Sequence, residues 1–262
     1  MTVVPRKTFY ERQPSGYEAF GGLLGFARAI AADSLLLNCA LTGAEERAAH
    51  ALQNGWTVWW WAGPDKWLPE NRATWDARQR ENGTPWRATR DRCVQLIANG
   101  MGIGYVANVE RAPQWRGQSR DLDALAGVLD NDSRAGLSIG FSSFPSWPYW
   151  RVIAHRARLV WASPQLYGIV DPGTPAELLA RGAPWAQEFG GGYVPSLAAW
   201  SRSAAEQAAY LDGMRSVPGA AFWHGLPAPS GPVVDVLRAW EPAPPFSQAP
   251  PPPAGPPGLA GC

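Results

Sequence analysis

Residues 101–111 read MGIGYVANVER, a glycine-led run of strand-forming residues that ends in one carboxylate, Glu110. Side chains alternate across a strand, so Gly104, Val106, Asn108 and Glu110 share one face. Ile103, Tyr105, Ala107 and Val109 take the other. If the first face looks into a barrel, Asn108 and Glu110 stand at its carboxyl-end mouth, where barrel enzymes keep their chemistry.

The chain on either side repeats one pattern. Towards the N-terminus the strand candidates are Val3 to Glu11, Ser34–Ala40 (SLLLNCA) and Trp56–Ala62 (WTVWWWA). Towards the C-terminus they are Gly136–Ser143, Leu159–Tyr167, Tyr193–Ala198 and Gly219–Gly225. Short apolar runs of this kind suit buried parallel strands. Helical spacing or a helix start follows each one. Phe20–Ala32 carries apolar residues at helical spacing, and Thr42-Gly43-Ala44-Glu45 reads as a capping box for Ala44–Gln53. Thr84-Pro85 opens Trp86–Asn99, Ser119 caps the next helix, and Tyr149–Arg158 is a short one. Thr174-Pro175-Ala176-Glu177, Ser203-Ala204-Ala205-Glu206 and Ser230-Gly231-Pro232 open the last three. Strict strand–helix alternation implies a parallel sheet, and eight units in 262 residues imply closure into a (β/α)8 TIM barrel over residues 1–240. An open doubly wound sheet is the runner-up, disfavoured because neither GxGxxG nor a P-loop follows any strand.

Residues 241–262, EPAPPFSQAPPPPAGPPGLAGC, are too proline-rich to pack a core and read as a disordered tail. The tail is either an inert extension or a tether to a protein partner. With 23 Lys+Arg against 22 Asp+Glu, the charge balance supplies no case for nucleic acid or an anionic membrane. The N-terminus lacks the apolar core of a signal peptide, and no run is long enough to span a bilayer. The expectation is a soluble chain made in the cytoplasm, acting there, after lysis, or within a particle. Cys39, Cys93 and Cys262 read as two buried thiols and a terminal one. CxxC and HxxxH spacings do not occur, so neither a metal nor another cofactor is expected.

In a barrel the site is built from residues at strand carboxyl ends. The carboxylates there are Glu11, Asp65 and Glu110, with Asp171 further along a loop. Cations are few and no glycine loop could cradle phosphate, which argues against phosphoryl transfer. The GxSxG match at 136–140, GLSIG, opens a strand candidate rather than a strand-to-helix turn, so it is no nucleophile elbow and does not support an esterase. The excess resource is aromatic: 15 Trp in all, with Trp61 and Trp223 at strand ends and Trp67, Trp115, Trp147 and Trp150 just beyond. Trp59, Trp60 and Trp61 cannot all face one way. Flat rings beside carboxylates and amides suit sugar rings, which offer an apolar C–H face and polar edges. Glu110 is then a general acid towards a glycosidic oxygen, its pKa raised by an apolar pocket. Asn108, Glu11 and Asp65 complete the catalytic candidates. Trp61, Ser143, Gln165, Tyr167, Trp223 and His224 are the substrate-binding candidates.

These residues resemble the Chalaropsis-type lysozymes, family 25 of the glycoside hydrolases, which cleave peptidoglycan glycan chains. Their fourth strand ends in Asp-x-Glu, matched here by Asn108-Val109-Glu110. Later segments correspond to Ile139-Gly140-Phe141-Ser142-Ser143, to Ser163-Pro164-Gln165-Leu166-Tyr167 and, loosely, to Phe222-Trp223-His224. The resemblance implies a TIM barrel acting on a cell-wall or other polysaccharide, with Glu110 catalytic. The chain departs from it where the signature aspartate is Asn108 and where the first-strand aspartate has only Glu11 as a substitute. A two-carboxylate mechanism needs a partner roughly 5 Å from the acid when retaining, or roughly 6.5–9.5 Å when inverting. The competing expectation is a barrel without catalysis that serves as a glycan-binding or structural component of an assembly.

Overall fold

The computed structural model describes residues 3–11, 17–62, 87–109, 119–167, 172–199, 202–223 and 229–243. Eight strands and eight helices alternate within them. The first half holds β1 (Lys7–Tyr10), α1 (Leu23–Ala29), β2 (Ser34–Asn38), α2 (Ala44–Gln53), β3 (Thr57–Ala62), α3 (Arg87–Ala98), β4 (Gly104–Asn108) and α4 (Ser119–Arg134). The second holds β5 (Ser138–Ser143), α5 (Trp150–Arg156), β6 (Trp161–Pro164), α6 (Pro175–Phe189), β7 (Ser196–Ala198), α7 (Ala204–Gly213), β8 (Ala220–Trp223) and α8 (Gly231–Ala239).

All pairings are parallel, in the order β6-β5-β4-β3-β2-β1-β8-β7. Parallel bridges Ala162↔Tyr193 and Gln165↔Ser196 bring β6 against the approach to β7 and nearly close the ring. The fold is a (β/α)8 barrel, as the alternation predicts.

Strand alternation sorts the side chains into two cores. One lies between sheet and helices and includes Phe9, Leu35, Leu37, Trp60, Tyr105, Ala107, Val109, Ile139, Phe141 and Phe222. The other fills the lumen with Tyr10, Leu36, Trp59, Trp61, Val106, Trp161, Val194 and Ala221. The three consecutive tryptophans of β3 therefore divide, Trp60 outward and its neighbours inward. Trp60 donates Nε1–H to the Met101 carbonyl at 2.6 Å. Behind β4, Tyr105 donates to Asp132 Oδ2 at 2.5 Å, and Arg90 Nε donates to the same oxygen at 2.8 Å. This buried cluster locks β4 to α3 and α4, which fixes the strand that leads to Glu110.

Two helix starts agree with their sequence signals in full. Thr174 and Ser203 each accept from the N3 backbone N–H, and Glu177 and Glu206 reach back to the cap residues. The α2 start differs. Its N-cap is Gly43, at φ 73°, a left-handed conformation that glycine takes without steric cost. Thr42 lies one residue too early to cap, and its carbonyl instead accepts from Arg47 Nη1 at 2.6 Å. The helix expected over Phe20–Ala32 is divided for a similar reason. A 3-10 turn, Glu18–Phe20, ends at Gly21 and Gly22, both at positive φ, before α1 begins. Pro164 is the last residue of β6, where a missing N–H is tolerated.

The first residues of the proline-rich stretch dock on the barrel. Arg6 Nη2 donates to the carbonyls of Pro242 and Ala243, and Ala243 N donates to Val217 O at 3.1 Å. Among the described residues no helix is long and apolar enough to cross a membrane.

Candidate functional site

The carboxyl ends of β4, β5 and β6 carry Asn108, Ser142 and Gln165, all buried and all at lumen-facing parity. Gln165 Nε2 donates to Asn108 Oδ1 at 2.6 Å and to Ser142 Oγ at 3.2 Å. That uses both of its N–H groups and leaves its Oε1 buried, with no partner among the described residues. One level lower, the Ser163 and Ser196 hydroxyls share a hydrogen bond of 2.5 Å. The upper lumen is thus lined by neutral amides and hydroxyls.

Aromatic rings enclose this polar layer. Tyr10 and Trp61 lie at 5.3 Å between ring centroids, and Trp59 meets Trp161 edge-on at 5.4 Å. Tyr167 stacks on Trp223 at 4.7 Å and 21°. The indole N–H groups of Trp59, Trp61 and Trp161 are buried, with no acceptor among the described residues. Buried donors and acceptors are ordinarily paired, so this lumen has unused capacity to hydrogen-bond a group that both donates and accepts. A sugar hydroxyl or an amide has that character.

The structure joins Asn108 to Gln165, places Trp61 in the same lumen, and pairs Tyr167 with Trp223. Two other sequence candidates point elsewhere. Glu11 has the parity of Phe9 and turns away from the lumen towards α2. Its Oε1 lies 2.7 Å from Arg47 Nε, a charge contact without an aligned hydrogen bond, and its Oε2 accepts from Asn38 N at 3.0 Å. Burial pushes the Glu11 carboxyl above its ordinary value, and Arg47 and the Asn38 N–H pull it part of the way back. Glu11 is committed to holding α2 on the barrel. Ser143 is likewise outward and donates to the Val109 carbonyl at 2.6 Å. The inward serine is Ser142, its neighbour. Both discrepancies are one-residue parity effects, since a single step along a strand exchanges the faces.

Glu110, Asp65, Asp171 and His224 lie outside the described residues, as do Trp67 and Trp115. Trp147 and Trp150 pack in the outer core rather than at the mouth: Trp150 stacks on Trp185 at 4.5 Å, and Trp147 sits against Phe141 at 6.0 Å. Among the described residues the buried carboxylates are Glu11 and Asp132, and both bind guanidinium groups outside the lumen. No cluster of three or more His, Cys, Asp or Glu among the described residues has the makings of a metal site. Lys7 faces outward too, with Nζ donating to the Arg238 carbonyl at 3.2 Å and lying 6.0 Å from the Trp240 ring centre. Desolvation lowers its pKa.

Tyr10, Trp59 and Trp161 are lumen residues that are not among the sequence-based candidates. Their signal was the two-residue period itself. Tyr10 alternates with outward Phe9, and Trp161 follows from Ser163 and Gln165 by steps of two.

No protein-family model and no curated protein matches this chain. Solved structures do. An endo-beta-N-acetylglucosaminidase from Cordyceps militaris is similar with a TM-score of 0.56 and 13% identity, over 92% of this chain and 92% of its own. A chitinase of glycoside hydrolase family 18, from the chitin utilization locus of Flavobacterium johnsoniae, is similar with a TM-score of 0.60 and 9% identity, over 90% of this chain and 93% of its own. A Schiff-base-forming fructose-1,6-bisphosphate aldolase is similar with a TM-score of 0.52 and 10% identity, over 90% and 92%. At these identities the likeness is one of fold. A relation to the Chalaropsis-type lysozymes is not shown by it.

Proposed function

We propose that this chain is a glycoside hydrolase-like barrel that takes a polysaccharide strand at its carboxyl-end mouth, with Glu110 as general acid. Asn108 holds the substrate or a water beside it. The observation that carries this reading is the amide pair that joins the ends of β4 and β6. Asn108 is inward, tied to Gln165, and two residues before Glu110, in a lumen walled by Trp61, Trp59 and Trp161. The Tyr167–Trp223 stack adds a flat apolar platform for a sugar face.

Schiff-base chemistry has less support. It needs a lysine amine at the reacting centre, and the chain's two lysines are Lys7, which is outward, and Lys66, outside the described residues. Two structures with this fold are named for N-acetylglucosamine and chitin, so chitin and peptidoglycan are the first glycans to test.

A second reading, a barrel that binds glycan without cleaving it, draws on the described residues, whose buried carboxylates Glu11 and Asp132 both face away from the lumen. Asn108 is an amide, and Glu11 is spent on Arg47. One experiment separates the two. Wild type and Glu110→Gln are incubated with insoluble peptidoglycan and chitin, and soluble reducing ends and pelleted protein are both measured. Release by wild type alone supports hydrolysis with Glu110 as acid. Equal pelleting of both with no release overturns hydrolysis in favour of binding, and neither pelleting nor release overturns both.

A further inference from the structure

Cys39 directly follows β2, and Cys93 lies midway along α3. Their sulfurs are 3.2 Å apart, about 1.2 Å more than the ~2.04 Å of a disulfide bond. Both thiols are buried, Cys93 completely and Cys39 at 5% exposure. Cys93 Sγ donates to Cys39 Sγ, and Cys39 Sγ to the carbonyls of Trp61 and Thr89 at 3.5 and 3.4 Å. Two thiols held this close, 54 positions apart in sequence, sit where small side-chain rotations bring them to bonding distance.

We propose that Cys39 and Cys93 form a reversible disulfide that braces the barrel mouth. A low-molecular-weight disulfide such as oxidised glutathione serves as oxidant. The Cys39 thiolate, at the more exposed position, attacks one glutathione sulfur, breaking its S–S bond and releasing one glutathione, which takes up the proton lost from Cys39. The Cys93 thiolate then attacks the Cys39 sulfur of the mixed disulfide. The second glutathione leaves with the Cys93 proton, so two electrons pass from the dithiol to the oxidant. Burial pushes the Cys93 thiol up, so Cys39 rather than Cys93 takes the first step. The bond ties the connection above β2 to α3 and encloses β3, whose Trp61 lines the lumen. It also withdraws the Cys39 S–H from the Trp61 carbonyl, so oxidation reaches the candidate site.

The test uses the full chain, reduced, desalted and exposed to glutathione disulfide in native buffer. Remaining thiols are alkylated in denaturant before tryptic mapping. The expected product links peptide 29–47 to peptide 93–111. It melts on the order of 5–10 °C above the reduced protein, a difference reversed by dithiothreitol and absent from Cys39→Ser. Two fully alkylated thiols, a link only to Cys262, or pairing only in denaturant would overturn the proposal. A linked pair with an unchanged melting midpoint would overturn the bracing role.

Discussion

Gln165 donates to Asn108 across the mouth of the barrel at 2.6 Å, joining the end of β6 to the end of β4. The bond spends one amide on orienting the other and fixes the backbone two residues before Glu110. Asn108→Ala leaves a Gln165 N–H buried and unmet, which costs about 1–3 kcal/mol. The urea midpoint should fall accordingly, and glycan release or pelleting should drop at least several-fold. A variant as stable as wild type with unchanged glycan binding would show that the bond holds nothing.

The Tyr167–Trp223 stack and the outer-core Trp147 give opposite expectations for the same substitution. Trp223→Ala should weaken pelleting with insoluble glycan about tenfold, equivalent to roughly 1.4 kcal/mol, with a small change in melting. Trp147 is nearly fully buried against Phe141. Its replacement by Ala should cost about 3–5 kcal/mol of stability while the folded fraction still binds glycan normally. Reversed outcomes would remove Trp223 from the site.

Arg47 offsets a buried carboxylate. Glu11 has its pKa raised in the fold, so the stability associated with it is fully present below its unfolded value near 4.5 and declines as pH rises through the higher folded value. Arg47→Met removes the compensating cation and raises that folded value further. The gap between wild type and variant should be small at pH 4 and widen towards pH 7, reaching roughly 2–4 kcal/mol. Urea titrations across that range would show it, and a gap independent of pH would refute the pairing. Glycan binding per folded molecule should be unaffected, because Glu11 faces α2.

Gly140 lies under the Trp161 indole. A Cβ there would approach Trp161 Cε2 to 2.6 Å, inside any contact that a carbon atom tolerates. Gly140→Ala should therefore destabilise by about 1–3 kcal/mol and lower the melting midpoint by several degrees. The indole would be displaced towards the amide layer, so tryptophan emission should shift as well. Unchanged emission and stability would mean that the lumen is less tightly filled than described.

How far the chain could be read in advance differs between fold and site. Alternating apolar runs and helix starts are local signals, set by the pleat and by capping chemistry within a few residues. They placed eight strands and eight helices in order, and parity along β4 correctly turned Asn108 inward and Tyr105 outward. Parity also required the β3 tryptophans to divide. Where local chemistry had two solutions, as at Thr42 and Gly43, the backbone conformation available to glycine decided.

The site itself depended on tertiary structure. Glu11 and Ser143 stand at strand ends, as Asn108 does, but one step off lumen parity, and nothing local says what each then meets. Arg47 on α2 claims Glu11, and the Val109 carbonyl claims Ser143. Gln165 finds Asn108 across 57 positions of sequence, and Cys93 meets Cys39 across 54. Closing the sheet creates these pairings, because a side chain's partner depends on which distant strand or helix the barrel sets beside it. The sequence by itself determined the order of the elements and the face each strand residue takes; only the folded barrel decided which of those residues meet.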